Sequence, residues 1–92
     1  MDKTTFIGKL VDFPILRVLP FSFESAATLQ LRNGHGDILD VLLKGELAED
    51  FLMEINMEVT YTVSGLLGPG YDQTLTIVDN NKVMLIADCI NK

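Results

Sequence analysis

The sequence predicts an all-β fold: five strands closed into a barrel, with one short helix between the third and the fourth. Three observations carry this expectation. Apolar and polar residues alternate with period two along most of the 92 residues, as in strands with one buried face. One stretch alone changes to helical spacing. Clusters of glycine, proline and asparagine separate the alternating runs, and these residues suit tight turns because of their backbone preferences.

In the first strand Phe6, Gly8 and Leu10 share one face, and Ile7, Lys9 and Val11 share the other. Pro14 interrupts it, since proline has no backbone N–H to donate to a ladder. Extended character resumes over Ile15–Leu19 and stops at Pro20. Ala27, Leu29 and Leu31 alternate with Thr28, Gln30 and Arg32 in a second strand. Asn33-Gly34-His35-Gly36 makes a turn, because asparagine and glycine tolerate positive φ. A third strand runs from about Asp37 to Lys44 and puts Leu39, Val41 and Leu43 on one face.

Gly45 ends the alternation. Leu47, Phe51, Leu52 and Ile55 then recur at helical spacing opposite Glu46, Glu49, Asp50 and Glu54, so a short acidic amphipathic helix is expected from Gly45 to about Asn56. Its apolar side should plug the barrel, with Phe51 and Ile55 inward. Acidic residues in its first turn favour the positive end of the helix dipole. A fourth strand alternates Val59, Tyr61 and Val63 with Thr60, Thr62 and Ser64. Gly68-Pro69-Gly70 is expected to open a loop, Leu75 and Ile77 to begin a fifth strand, and Asp79–Lys82 to form a turn or bulge before Val83–Ile86. Three strands, a helix and two strands is the order of the OB-fold, and residues 1–92 are expected to form one such domain.

Composition narrows the function classes. The longest apolar run, Val83–Ala87, is far below the roughly 20 residues of a spanning helix. The first residues lack the pattern of a signal peptide, and Cys89 is the only cysteine. A cytoplasmic protein without intrachain disulfides is expected. Cys89, near an apolar stretch, is expected to be a small packing residue.

An enzyme is not expected. The chain has one histidine and one cysteine, no Gly-x-Ser-x-Gly and no phosphate-cradling loop. Asp37 and Asp40 fall on opposite strand faces. His35 has no second histidine or nearby cysteine with which to hold a metal. No catalytic residue, cofactor or metal is therefore assigned.

The net charge of −6 sits awkwardly with nucleic-acid binding, but it is unevenly spread. Residues 1–45 are neutral, five cations matching five carboxylates; residues 46–92 hold two cations against eight carboxylates. Local field matters more than total charge, so one face can still serve an anion. An acidic surface that only keeps a small protein soluble accounts for the same numbers.

Several short motifs resemble the bacterial single-stranded DNA-binding protein family and its primosomal relatives. Gly8-Lys9-Leu10, Pro14 and Leu16-Arg17 resemble the family's opening strand. Val63-Ser64-Gly65-Leu66-Leu67 resembles its Val-x-Gly-x-Leu strand after the helix, and Val83-Met84-Leu85 resembles its closing strand. The likeness spans nearly the whole chain, and its motifs are largely structural. Gly65, for instance, suits a corner where backbones approach closely. The resemblance implies an OB-fold and single-stranded DNA binding by an oligomer.

The chain also departs from the family. Leu42-Leu43 stand where the family usually has a stacking aromatic, there is no tryptophan in these 92 residues, and the family's long acidic tail is not expected here. A housekeeping strand-protection role is not expected.

An OB-fold binds ligands over its second and third strands, flanked by the first-to-second and fourth-to-fifth strand loops. Single-strand binding there needs cations for phosphates and aromatic faces for bases. The residues at those places are Arg17, Phe21, Phe23, Arg32, Lys44 and Tyr71. Phe21 and Phe23 have three possible roles: stacking on a base, packing on another subunit, or folding back over the barrel mouth. Tyr71 also fits an ordinary loop position. Two function classes follow: a non-catalytic OB-fold module that binds single-stranded DNA as a homodimer or larger homo-oligomer, or an OB-fold protein–protein interaction module without nucleic-acid binding.

Overall fold

The computed structural model describes residues 3–20, 22–71, 75 and 77–92. Its strands are β1 (Thr4–Leu10), β2 (Ile15–Val18), β3 (Ser25–Arg32), β4 (Ile38–Lys44), β5 (Thr60–Tyr71) and β6 (Val78–Asn91), with one helix, α1 (Gly45–Met53), between β4 and β5. The sheet order is β1-β5-β6-β4-β3-β2, and β1 also pairs with β3, so the pairings close into a ring. All pairs are antiparallel except β4 with β6. The fold is the all-β OB-fold with one short helix that the sequence predicts.

The sixth strand is a matter of interruption. β1 pairs with the end of β3 through Lys9 and Leu10, and β2 pairs with its beginning through Ile15–Val18. Both therefore lie along the same edge of β3. They are two lengths of one strand path, broken around Pro14 where the ladder lacks a donor.

Alternation places the core as expected. Leu29 and Leu31 of β3, and Val41 and Leu43 of β4, are at most 4% exposed. Tyr61, Val63 and Leu85 close the same cluster from β5 and β6. Helix α1 begins at Gly45, whose φ of 59° reverses the chain as it leaves β4. Ala48 and Phe51 are buried, and the Phe51 ring meets Tyr61 edge-on with centroids 5.2 Å apart. The helix stops at Met53, about a turn earlier than its apolar spacing suggests. Ile55, just beyond the helix, still packs against the core, and Tyr61 Oη accepts a hydrogen bond from the Asn56 N–H at 3.1 Å.

The second hairpin departs most from expectation. Gly68-Pro69-Gly70 opens no loop, because β5 continues to Tyr71. Pairing steps from Pro69↔Val83 directly to Gly70↔Asp79, so residues 80–82 bulge out of β6. Of the two readings offered for Asp79–Lys82, the bulge is the one found. Leu75 and Ile77 precede β6 instead of starting it; Leu75 has φ 61° and is buried, so a side-chain contact decides its conformation rather than a ladder. Thr74 and Thr76, which alternate with Leu75 and Ile77 in the sequence, lie outside the described residues. At Gly65 a side chain would overlap the Ile86 carbonyl, which explains the glycine at a register shift.

Cys89 is exposed, contrary to its expected packing role: it lies near the end of β6, where the side chain of Asn91 contacts its sulfur. Among the described residues no helix is long and apolar enough to cross a membrane.

Candidate nucleic-acid interface

Residues directly opposite across a strand pair share a face. Arg17 and Lys44 both lie opposite Ala26, from β2 and β4 respectively, so all three side chains share the outer face of the sheet. Along the same face β3 presents Thr28, Gln30 and Arg32, β4 presents Leu42, Asp40 and Ile38, and β6 adds Ile86 and Met84. Arg32 is six residues from Ala26, roughly 20 Å of extended strand at ~3.4 Å per residue. Opposite β3, Lys9 of β1 lies directly across from Arg32. The face thus carries a pair of cations at each end.

The two halves of this face differ. Toward Lys44, Leu75 lies on Ala26, Leu42 and Met84, with Leu19, Tyr71 and Ile86 around them in a small second core. Leu42, at the position of the stacking aromatic in the family the chain resembles, is thus buried at 1% exposure. Beside this filled half, a cleft of about 400 Å³ is lined by Asp12, Phe13, Ile15, Arg17, Thr28, Leu29, Gln30, Asp40 and Met84. A smaller adjoining cleft, about 200 Å³, continues past Arg17 and Asp40 to Gly70, Tyr71 and Lys82.

The charged groups in these clefts are largely uncommitted. Among the described residues the ion pairs are Lys3–Asp88 and Lys92–Glu54, neither in the clefts. The Lys3 ammonium is held above its ordinary value by its hydrogen bond to Asp88. Arg17 Nε is buried without a hydrogen-bond partner, an arrangement that is costly until something accepts from it. Asp40 Oδ1 accepts one hydrogen bond, from Gln30 Nε2 at 2.9 Å.

The residues singled out from sequence are only partly brought together. Arg17 and Tyr71 line one cleft, and Lys44 and Tyr71 line the neighbouring one beneath the β2–β3 turn. Arg32 lies in a separate cleft with Lys9, Ile7, Val11 and Met57. Phe23 is 81% exposed at a φ of 55°, so it does not fold back over the mouth of the ring. Phe21 lies outside the described residues.

Sequence reading missed Phe13, Lys9, Lys82 and Asp40. Phe13 is 68% exposed and lines the larger cleft. An aromatic beside Pro14, in a segment that cannot be mid-strand, was the available signal for it.

No family model matches the chain, and no curated protein matches it by sequence. Solved structures do match by fold. The SSB domain of a Synechococcus protein aligns with TM-score 0.78 at 15% identity, over 100% of this chain and 96% of that one. The second single-stranded DNA-binding protein of Mycobacterium smegmatis aligns with TM-score 0.74 at 16% identity, covering 99% and 84%. A small single-stranded DNA-binding protein from Streptomyces coelicolor aligns with TM-score 0.70 at 16% identity, covering 98% and 90%. In fold, over essentially its whole length, the chain is similar to single-stranded DNA-binding domains.

Proposed function

We propose that this chain is a non-catalytic module that binds single-stranded DNA across the outer face of β2, β3 and β4. One observation carries the reading most directly: the Arg17 guanidinium, its Nε buried and unpartnered, lies in the same cleft as the exposed Phe13. A cation for phosphate and an aromatic face for a base are the two components such binding needs. The likeness in fold to single-stranded DNA-binding structures supports the choice of ligand.

In this reading Arg17 and Lys44 hold phosphates at one end of the face and Arg32 at the other. Phe13, Phe21, Phe23 and Tyr71 are the candidate stacking surfaces. The excess acid of residues 46–92 keeps affinity below that of a basic homologue.

The chain also self-associates in this reading. Among the described residues β2 pairs with β3 alone, and its Leu16 and Val18 are 63% and 57% exposed, while Ile7 on β1 is 55% exposed. Apolar side chains on an open strand edge favour pairing with another chain. Sedimentation equilibrium is expected to give a dimer or larger; a monomer at high micromolar concentration refutes self-association.

A salt titration of binding to labelled oligo-dT tests the main reading. With three cations on phosphates, log affinity should fall against log salt with a slope near about −2, from ~0.7 per phosphate on a single strand. No binding to single-stranded DNA of any base composition at low salt refutes it, and leaves the protein-interaction module as the function.

A further inference from the structure

The centre of the proposed binding face holds a carboxylate, which is unexpected where a polyanion should lie. Asp40 lies directly across from Gln30, between the Arg17–Lys44 end of the face and the Lys9–Arg32 end. Its Oδ1 accepts from Gln30 Nε2 at 2.9 Å, and no cation forms an ion pair with it among the described residues. Arg17 and Lys82 line the same cleft without closing on it. An ionised carboxylate offers about four lone-pair sites, and one hydrogen bond leaves most of them open to the cleft.

We infer that Asp40, oriented by Gln30, is a base-selecting residue that favours bases with an exocyclic amino group over thymine. The inference rests on the proposed single-stranded DNA binding at this face. A phosphate cannot settle on an unpaired carboxylate, because like charges repel in a partly desolvated cleft. The group reaching Asp40 must therefore be a base edge. Cytosine, adenine and guanine each present an N–H₂ donor, and a carboxylate accepting from cytosine N4 is an established pairing geometry. Thymine has a single N3–H between two carbonyl oxygens, so a carboxylate that approaches it also meets two acceptors. Phe13, which lines the same cleft, stacks on any base and leaves the choice to Asp40. Gln30 acts as a positioning residue, fixing the carboxylate by its cross-strand hydrogen bond.

The test compares labelled oligo-dC with oligo-dU, which differ little in stacking but exchange the amino group for a carbonyl. Slightly alkaline buffer keeps oligo-dC single-stranded. Wild-type protein is expected to bind oligo-dC at least about fivefold more tightly, the lower end of discrimination by a well-placed polar pair. Asp40→Asn, whose amide both donates and accepts, should bring the ratio to within about twofold, mainly by improving oligo-dU binding. Asp40→Ser provides a second variant, and the unfolding midpoint of each shows that it is folded. Equal wild-type binding of the two oligomers overturns the inference while leaving DNA binding intact, as does a preference that survives in both variants. Failure of the wild type to bind either oligomer overturns the functional reading and this inference together.

Discussion

The two faces of the β3–β4 hairpin are built from the same alternation and have opposite fates. The inner face, Leu29, Leu31, Val41 and Leu43, is sealed beneath α1 and β5. The outer face is divided: Ala26 and Leu42 are covered by Leu75, whereas Gln30, Arg32 and Lys44 stay exposed and Thr28 and Asp40 half-buried. One strand pair thus contributes stability from one side and a polar surface from the other. Inner-face changes should be read in unfolding, outer-face changes in binding. The Leu75 contact, where a core residue sits on the outer face, is where that separation is weakest.

The largest expected effect is on the inner side. Phe51→Ala removes a ring that is 7% exposed and packed edge-on against Tyr61. It should cost about 3–5 kcal/mol in equilibrium urea unfolding. A cost below about 1 kcal/mol would mean that the helix is not the plug of the ring. Leu75→Ala should cost less, about 2 kcal/mol, the low end for a buried leucine, because its site can collapse or hydrate at the surface. Leu75 also lines the clefts that hold Arg17, Lys44 and Tyr71, so single-stranded DNA affinity should fall together with stability. Unchanged binding in a destabilised variant would leave Leu75 a purely structural residue of the outer face.

How far the sequence foretold these features depended on whether local pattern or distant contact decided them. Period two identified both faces of the β3–β4 hairpin. Its turn was legible because Asn33 Oδ1 accepts from the N–H groups of His35 and Asp37, both at 2.9 Å, a purely local arrangement. The β5–β6 hairpin was misread because its decisive interactions are not local. Gly68-Pro69-Gly70 carries the composition of a turn, but pairing with β6 holds it extended. Leu75 carries the pattern of a strand, but contact with Ala26, Leu42 and Met84 holds it at positive φ.

The site was legible by chemical type more than by place. Arg17, Lys44 and Tyr71 converge on adjoining clefts. Arg32 stands apart beside Lys9, because β1 turns back onto the end of β3, a pairing that spacing alone does not reveal. In the sequence Asp40 stands out only as half of a carboxylate pair with Asp37. Its position in the middle of the face follows from the β3–β4 and β4–β6 register together.

Two aromatic substitutions sharpen the comparison next. Phe13→Ala and Phe23→Ala both remove exposed rings, so each should alter unfolding by no more than about 0.5 kcal/mol. The ring that stacks should cost about 1–3 kcal/mol of oligonucleotide affinity while leaving the salt slope unchanged, since stacking releases few counterions. Phe13, which lines the cleft with Arg17, is expected to show the larger loss. A loss confined to Phe23 would move the binding path off the cleft and onto the β2–β3 turn.

The smallest effect is the most specific to the outer face. Arg32→Gln keeps a long polar side chain at an exposed strand position, so stability should change by less than about 0.5 kcal/mol. Its cation lies roughly 20 Å along β3 from the Arg17–Lys44 row. If one strand of DNA spans both ends, removing this single charge should flatten the plot of log affinity against log salt by about 0.7, the share of one phosphate. Arg17→Gln should flatten it equally, and the double variant should lose about twice as much. The measurement is a salt series of fluorescence-anisotropy titrations on an oligonucleotide long enough to reach both ends. Shortening the oligonucleotide should remove the dependence on one arginine before the other. An unchanged slope in Arg32→Gln with a reduced one in Arg17→Gln would confine binding to the cleft between Phe13 and Lys82, and leave the Lys9–Arg32 end outside the path.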